Sequence, residues 1–346
     1  MLLRQSYSSF FILHSSFLLV PLPTVFKFYH KSIILYEMET SEKDRMYMRR
    51  CLQLARNGMQ NARPNPMVGA VIVAEDGRII GEGYHQRCGE GHAEVNAFAS
   101  VRQEDEHLLS GATIYVSLEP CAHYGKTPPC ADLIVKKGVR RCVVGCVDPF
   151  AKVKGKGIQK IMDAGIEVCV GVLEEECKEL NRRFFTYHSK HRPYILLKWA
   201  QSCSGFIDDN FRPYAFSTDF TKMLSHKLRA EEDAILVGKT TDDREHPQLT
   251  VRNWSGPAPK RIVLRSTTPL PQLMEQLYGE GVQSLIVEGG AKVLTSFIAA
   301  GLYDEIRIET APADITCGTK APQLPAGIPL RRKDTYGQNT ITVFRY

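Results

Sequence analysis

One histidine and two cysteines between residues 92 and 130 have the types and the spacing of a metal-binding set. His92 is followed two residues later by Glu94, and Pro120-Cys121 precedes Cys130. An imidazole with two thiolates is a ligand set that zinc favours, and three protein ligands leave a fourth tetrahedral position open. An open position marks a catalytic zinc site, because a water molecule bound there has a pKa lowered toward neutrality. The set therefore predicts a catalytic zinc centre.

Glu94 is the predicted proton-transfer residue of this centre. It lies too close to His92 in the sequence to be a second ligand, but it is well placed to move a proton from water to a leaving amine. His-x-Glu followed by Pro-Cys and a further cysteine is the pattern of zinc deaminases that attack cytosine or adenine rings. The usual cysteine spacing is two residues, whereas eight separate Cys121 from Cys130 here. Two alternatives stay open: the three residues never meet, or His123 completes a structural zinc site.

The length and composition of the chain limit its possible domain organisation, partners and compartment. The chain has 346 residues, of which 43% are apolar and 24% are charged. This is an ordinary globular composition, and the length favours two domains. The net charge of +6 is a weak argument for nucleic acid and fits an anionic small molecule, so we expect no nucleic-acid partner. The 10 cysteines are scattered, so we expect a reduced, cytoplasmic compartment.

Residues 1–37 differ from the rest of the chain. The apolar run from Phe10 to Phe28 is broken by polar residues and prolines, which makes it a poor match to a membrane span of about 20 apolar residues. It resembles a signal peptide but lacks a clear small-residue cleavage site. We expect an extension that is not part of the fold, with Met38 as the true start, and no membrane partner.

Helical and strand-like segments alternate along the remaining chain. Residues 42–57 predict a first helix, and residues 68–73 predict a strand that Glu75-Asp76-Gly77 reverses. The alternation continues to residue 172 and predicts a mostly parallel sheet covered by helices. A polar helical connection follows, and a second alternating series begins at Tyr194. We assign residues 38–180 to a first domain, 181–192 to a linker and 193–346 to a second domain.

Two glycine-containing segments are candidate phosphate sites. Glu288-Gly289-Gly290-Ala291 falls between a predicted strand and a predicted helix, and Gly155-Lys156-Gly157 precedes another predicted helix. Glycines let a backbone approach a phosphate, and a helix N-terminus favours negative charge. For the first segment an ordinary strand–helix turn is an equal explanation. The second half has no Gly-x-Gly-x-x-Gly fingerprint, so a Rossmann domain has little support.

The segment from Ser117 to Cys130, with eight residues between its cysteines, resembles the deaminase half of the bifunctional riboflavin-biosynthesis enzymes. Residues 64–69 (Pro-Asn-Pro-Met-Val-Gly) and residues 83–85 (Gly-Tyr-His) are also similar to that family. The resemblance implies a cytidine-deaminase-like three-layer α/β/α domain. The implied substrate is 2,5-diamino-6-ribosylamino-4(3H)-pyrimidinone 5′-phosphate, which is deaminated to the uracil derivative.

The resemblance also implies residue roles in this first domain. His92, Cys121 and Cys130 are the implied zinc ligands, and Glu94 is the implied proton shuttle. Asn65 is a candidate for holding the ring or the ribose, although a turn-forming Asn between two prolines is an equal alternative.

The second half is similar to the reductase domain of the same family. The resemblance implies a dihydrofolate-reductase-like α/β domain that uses NADPH to open the ribosyl group and reduce it to ribityl, within a homo-oligomer. The similar segments are Leu197–Ser202, Leu228–Ala230, Asp233–Gly238, Pro247–Arg252, Val287–Gly290 and Gly301–Glu305.

Positions in this second domain carry implied binding roles. The implied substrate contacts are Arg229, Leu249, Arg252 and Glu288. The implied NADPH contacts are Thr241, Glu245, Ser266 and Gly290. The arginines suit a phosphate through bidentate hydrogen bonds, and a surface ion pair is the alternative for either one.

Several positions depart from the family pattern. Ser204 and Glu245 stand where the family has aspartates, and Phe150 stands where it has asparagine. These departures leave open a deaminase whose second domain is inactive. A nucleic-acid base deaminase shares the His-x-Glu zinc core, but the long cysteine loop, the modest charge and the second domain argue against it.

Overall fold

The computed structural model describes residues 41–124, 128–150 and 155–346. The expectations for residues 1–37 and for Met38 fall outside these ranges. Within them, no helix combines the length and the apolar character needed to cross a membrane. The described parts of both halves of the chain belong to one compact unit.

The first half forms a five-stranded sheet with strand order β2-β1-β3-β4-β5. Its strands are β1 (Gly69–Val73), β2 (Ile79–Tyr84), β3 (Thr113–Val116), β4 (Arg141–Val144) and β5 (Glu167–Val170). Its helices are α1 (Glu42–Arg56), α2 (Ala93–Ala99), α3 (Cys130–Lys137), α4 (Lys156–Asp163) and α5 (Glu174–Leu180), with a 3₁₀ helix over Gln103–Gly111.

Helix α1 shows how the sequence positions these elements. Ser41 caps it, because its Oγ accepts a hydrogen bond from the Asp44 amide at 3.1 Å. Cys51 and other buried apolar side chains of the helix face the sheet. A Cβ on Gly69 would lie 2.0 Å from the Cys51 carbonyl oxygen. Only glycine therefore lets the start of β1 approach the helix this closely.

Alternate residues of the first sheet pack against helices on opposite faces. Ile72, Ile114 and Val144 belong to the core on the side of α2, α3 and α4. Residues between them, such as Val71 and Val143, belong to the core on the side of α1 and α5. Buried strands with this period of two require cover on both faces. The predicted three-layer α/β/α fold is confirmed.

The prediction of a mostly parallel sheet is only partly met in this half. Pairing is parallel for β3–β4 and β4–β5. It is antiparallel for β1–β2 and β1–β3. The physical reason is the predicted reversal at Glu75-Asp76-Gly77, which makes β1 and β2 a hairpin at the edge of the sheet.

Residues 181–192, which we assigned to a linker, are mostly helical. Helix α6 (Arg182–Lys190) follows α5 after Asn181 alone. The buried Asn181 side chain binds both backbone groups of Met67, accepting from its N and donating to its O, each at 2.8 Å. Tyr187 on α6 donates to the Tyr278 carbonyl oxygen of the second half at 2.8 Å. The connection is thus packed against both halves.

The second half forms a seven-stranded sheet with strand order β11-β12-β10-β6-β9-β7-β8. Its strands are β6 (Tyr194–Ser202), β7 (Ala234–Gly238), β8 (Lys260–Leu264), β9 (Ser284–Val287), β10 (Glu305–Ala311), β11 (Leu330–Tyr336) and β12 (Asn339–Arg345). Its helices are α7 (Asp219–Ala230), α8 (Lys239–Glu245), α9 (Leu270–Gly279) and α10 (Ala291–Ala299).

This second sheet is also covered on both faces. The strands from β10 through β8 pair in parallel, and the β11–β12 hairpin extends the sheet antiparallel to β10. Leu197, Leu236 and Val287 pack with the side chains of α9 and α10. Leu196 and Ile235 pack on the opposite face with Leu228 of α7. The predicted second α/β domain is confirmed.

Candidate active site

The predicted zinc set is brought together at the start of two helices. His92 directly precedes α2, and Cys130 is the first residue of α3. The His92 Nδ1 atom lies 3.6 Å from the Cys121 Sγ and 3.3 Å from the Cys130 Sγ. The three donor atoms lie within 4.8 Å of one another, and no other such set occurs within the three described ranges. The alternative in which these residues never meet is wrong.

The surroundings of the Cys121 sulfur atom suit a thiolate. The Cys130 backbone amide, at the positive end of α3, donates to the Cys121 Sγ at 3.3 Å. A hydrogen bond from the Cys130 side chain is the main cause that lowers the pKa of the Cys121 thiol, whereas the same hydrogen bond and burial raise the pKa of the Cys130 thiol. His123 is exposed, and its ring lies 6.5 Å from that of Phe150. The donor set therefore fits a three-ligand zinc site rather than a four-ligand structural one.

Glu94 lies beside this set, in the first turn of α2, and is only 3% exposed. Burial raises the pKa of the Glu94 carboxyl to about 7. A group that titrates near neutral pH can both accept and release a proton during a reaction. The side chain is thus suited to the predicted proton transfer.

A cleft of about 740 Å³ opens over the zinc set. It contains His92, Glu94 and Cys121 at one wall. Residues from other elements complete it: Arg63, Pro64, Asn65, Pro66, Val68, His85, Leu118, Glu119, His123, Asp148, Phe150, Phe184, Tyr187, His188, Asp233, Glu280, Gly281 and Gln283. The volume is that of a site for a small molecule.

Asn65 and His85 form a hydrogen-bonded pair in this cleft. The His85 Nδ1 lies 3.1 Å from the Gly91 carbonyl oxygen, which can only accept, so this nitrogen carries the proton. The His85 Nε2 then accepts from the Asn65 amide nitrogen at 3.1 Å. Burial lowers the pKa of His85, which keeps the ring neutral. His85 received no role in the sequence analysis, and its place in the Gly-Tyr-His segment was the signal that could have assigned one.

The candidate phosphate site at the start of α4 is filled by a carboxylate of the protein. Glu119 accepts hydrogen bonds from the Gly155 amide at 2.9 Å and from the Gly157 amide at 3.0 Å. A Cβ on Gly157 would lie 1.8 Å from the Pro120 carbonyl oxygen. The expectation of a phosphate here is therefore wrong. Gly157 instead lets α4 approach the loop that carries Cys121.

Arg229 and Glu288 form a buried ion pair in the second half. The Arg229 Nη2 lies 2.7 Å from the Glu288 Oε2, and the Nε lies 2.9 Å from the Oε1. The two side chains are 13% and 10% exposed. Burial by itself raises the pKa of Glu288, but Lys198, 3.7 Å away, and Arg229 hold it at about 2. A surface ion pair is therefore wrong for Arg229.

The other two predicted substrate contacts lie in the segment next to this pair. Arg229 donates to the Thr250 carbonyl oxygen at 3.3 Å. Leu249 is buried against Leu228 of α7. The Arg252 side chain is exposed and donates to the Thr250 Oγ1 at 3.1 Å. The structure thus places these residues in one neighbourhood, with Arg252 alone exposed.

Two of the four predicted NADPH contacts are adjacent. Gly290 directly precedes α10, and a Cβ on it would lie 3.1 Å from the Thr241 Oγ1. Glu245, at the end of α8, and Ser266, just after β8, are both exposed. The described contacts do not join them to Thr241 and Gly290.

Ser204, where the family has aspartate, has a local structural role. Its Oγ donates to the Ile315 carbonyl oxygen at 2.6 Å, and it lies 3.0 Å from the Ile315 amide. These contacts hold the chain after β6 against the segment that follows β10.

Two family models match the chain. Residues 41–146 match the cytidine and deoxycytidylate deaminase zinc-binding region. Residues 193–272 and 268–335 match the RibD C-terminal domain. The matched regions contain the zinc set and the Arg229–Glu288 pair respectively.

Whole-length relatives show the same two regions in one protein. The chain is 39% identical to the riboflavin biosynthesis protein RibD of Aquifex aeolicus over 316 residues, which covers 78% of this chain and 87% of the relative. It is 34% identical to the RibD protein of Escherichia coli K12, covering 78% and 88%.

The fold is also similar to solved structures of this kind. A diaminohydroxyphosphoribosylaminopyrimidine deaminase/5-amino-6-(5-phosphoribosylamino)uracil reductase from Thermotoga maritima superposes with a TM-score of 0.81 at 32% identity, covering 88% of this chain and 98% of that one. RibD from Acinetobacter baumannii superposes with a TM-score of 0.79 at 30% identity, covering 88% and 99%.

Proposed function

The chain belongs to the RibD family of riboflavin biosynthesis proteins, and we propose how its residues divide the family's two reactions. It is a bifunctional deaminase and reductase of riboflavin biosynthesis, with a zinc-binding deaminase region and a reductase domain. Residues 38–180 form the proposed deaminase domain and residues 193–346 the proposed reductase domain, joined by residues 181–192.

The first reaction replaces a ring amino group of the diaminopyrimidine ribosyl phosphate with oxygen from water and releases ammonia. His92, Cys121 and Cys130 hold zinc, which when bound lowers the pKa of a water molecule so that hydroxide is available near neutral pH. Glu94 takes the proton from the water and delivers it to the leaving amine. Asn65 orients the ring or the ribose, and the neutral His85 holds the Asn65 side chain in place. The observation that carries this assignment is the three-ligand set with a buried carboxyl beside it.

The second reaction opens the ribosyl group of the deaminated product and reduces it to ribityl. NADPH supplies the hydride for this step. Thr241 and Gly290 would hold the cofactor, whose phosphates the N-terminus of α10 would favour. Glu245 and Ser266 are proposed as further cofactor contacts. Arg252 is exposed and binds the substrate phosphate. Arg229 keeps Glu288 ionised and in place beside the substrate, and Leu249 packs beneath the segment that carries Arg252.

The compartment and the assembly follow the family. We place the enzyme in the cytoplasm, which is supported by its cysteines: all ten lie in the described ranges and none of them forms a disulfide. A homo-oligomer remains a prediction.

One assay with the full-length, zinc-loaded chain tests the assignment. The diaminopyrimidine phosphate is added with NADPH, and ammonia release and NADPH oxidation are followed together. We expect both signals, with ammonia also released when NADPH is left out. Ammonia without NADPH oxidation would favour an inactive reductase domain with its altered Ser204 and Glu245 positions. The absence of both signals would contradict the substrate.

A further inference from the structure

One wall of the deaminase cleft is supplied by the reductase half. Asp233, Gly281 and Gln283 line the same cleft as His92 and Glu94. The segment that carries Asn65 lies where the two halves meet. What holds this segment in place therefore bears on substrate binding in the deaminase site.

Arg63 reaches from this segment to the end of α7. Its Nη1 donates to the Glu231 carbonyl oxygen and to the Asp233 Oδ1, each at 3.0 Å. Its Nη2 donates to the Ala230 carbonyl oxygen at 3.0 Å. Carbonyl groups at a helix C-terminus lack partners within the helix, and a cation is favourable there. The planar guanidinium reaches these three acceptors from two nitrogens in a fixed geometry, whereas a lysine ammonium would carry all its donors on one atom.

A second hydrogen bond holds the next residue of the segment. Gln283, which is 5% exposed, donates from its Nε2 to the Pro64 carbonyl oxygen at 2.7 Å. The Gln283 backbone amide donates to the Asp233 Oδ2 at 2.9 Å. Asp233 thus binds Arg63 through one carboxylate oxygen and Gln283 through the other. Both residues that precede Asn65 are held by the reductase half.

We propose that Arg63 is a positioning residue for the deaminase reaction, an inference that rests on the proposed function of the cleft. By binding the end of α7, Arg63 keeps the Asn65 side chain within hydrogen-bond distance of His85. In this position Asn65 contacts the substrate. The hydrogen bonds of Arg63 go to the second half and not to the zinc set or Glu94, which lie on other elements. Its loss should therefore weaken substrate binding and leave the chemical step intact. The reductase half accordingly completes the deaminase site.

Three full-length variants test this role. Arg63→Ala removes all three contacts. Arg63→Lys keeps the positive charge but lacks the planar guanidinium group. Gln60→Ala is the matched control, because Gln60 also crosses between the halves, donating to the Ser255 carbonyl oxygen at 3.0 Å, yet lies outside the Arg63–Asn65 segment. For each variant, KM and kcat of ammonia release are measured separately, with bound zinc and the unfolding temperature.

We expect Arg63→Ala to raise KM about tenfold while kcat stays within about twofold, which is the pattern of lost substrate binding. Zinc should remain at one ion per chain. Arg63→Lys should fall between Arg63→Ala and the unchanged protein, and Gln60→Ala should keep the original KM. If Arg63→Ala does not fold, Gln283→Leu tests the same proposal, since it removes only the bond to the Pro64 carbonyl and should also raise KM.

Several results would overturn the proposal. An unchanged KM in Arg63→Ala, or in Gln283→Leu where that variant is the one tested, contradicts it. An equal rise in Gln60→Ala would show a general contact between the halves rather than positioning of Asn65. A fall in kcat together with loss of zinc would show that Arg63 supports the metal centre instead. If the unchanged protein releases no ammonia, it is the proposed function that fails, which is distinct from each of these results.

Discussion

Replacing Glu288 with glutamine removes the negative charge that holds two buried cations. The pKa of Glu288 in the folded protein is about 2, against an ordinary value of 4.5. A pKa difference of this size corresponds to about 3 kcal/mol of stabilising interaction with the ionised carboxylate. The side chain is 10% exposed, so solvent screens the interaction little. Removing one partner of a buried ion pair costs about 3 to 5 kcal/mol, which agrees with this value.

Urea denaturation at pH 7 measures the loss. Both tryptophans, Trp199 and Trp254, lie in the second half, so their fluorescence reports the unfolding of the reductase domain. With a dependence on urea of about 2 to 3 kcal/mol per molar, we expect Glu288→Gln to lower the midpoint by about 1 to 1.5 M. Glu280→Gln is the control, because it breaks an exposed pair with Lys260 (2.7 Å) and should hardly move the midpoint.

The stability lost in Glu288→Gln should depend on pH in a defined direction. The folded pKa of Glu288 lies below the unfolded value, so its contribution is complete above pH 4.5 and is lost as the pH falls toward 2. The difference between the unchanged protein and Glu288→Gln should therefore narrow between pH 6 and pH 3. Equal midpoints at pH 7, or a difference that does not narrow in acid, would refute the buried-pair account.

Three further substitutions have defined outcomes. Cys130→Ser should reduce bound zinc, measured by atomic absorption, to well below one ion per chain, and retention of the full zinc content would contradict the ligand set. Gly157→Ala places a Cβ 1.8 Å from the Pro120 carbonyl oxygen and should lower the unfolding temperature and the zinc content, whereas Gly279→Ala, with open space around it, should change neither. Arg252→Ala should raise the KM of the reductase step about tenfold or more without changing stability, since the side chain is exposed; unchanged kinetics would remove its role.

The clustering of His92, Cys121 and Cys130, with Glu94 beside them, was predictable because residue types and their order in the sequence indicate such a set. The alternating patterns predicted the elements that carry them. The strands of the two buried cores were also predictable, since their apolar runs contrast with the polar turns between them.

Features that depend on contacts between distant residues were not predictable. The backbone amides at the start of α4 were expected to be available for a phosphate. Instead they donate hydrogen bonds to the carboxylate of Glu119, which lies 38 residues from Gly157 in the sequence. The β11–β12 hairpin was missed because β11 is charged and mostly exposed, so it lacks the apolar alternation of a strand. Arg229 pairs with Glu288, 59 residues away, a contact that was not predicted. Contacts between residues that are far apart in the sequence depend on the fold, and the local spacing of residue types does not predict them.

The most direct test of the two-site account separates the reactions in one protein. Glu94→Gln is supplied either with the diaminopyrimidine phosphate or with its deaminated uracil product, each with NADPH. We expect no ammonia and no NADPH oxidation from the first compound, but NADPH oxidation at an unchanged rate from the second. Ammonia release by Glu94→Gln at the original rate, or loss of reduction of the uracil product, would contradict the assignment of two reactions to two separate sites.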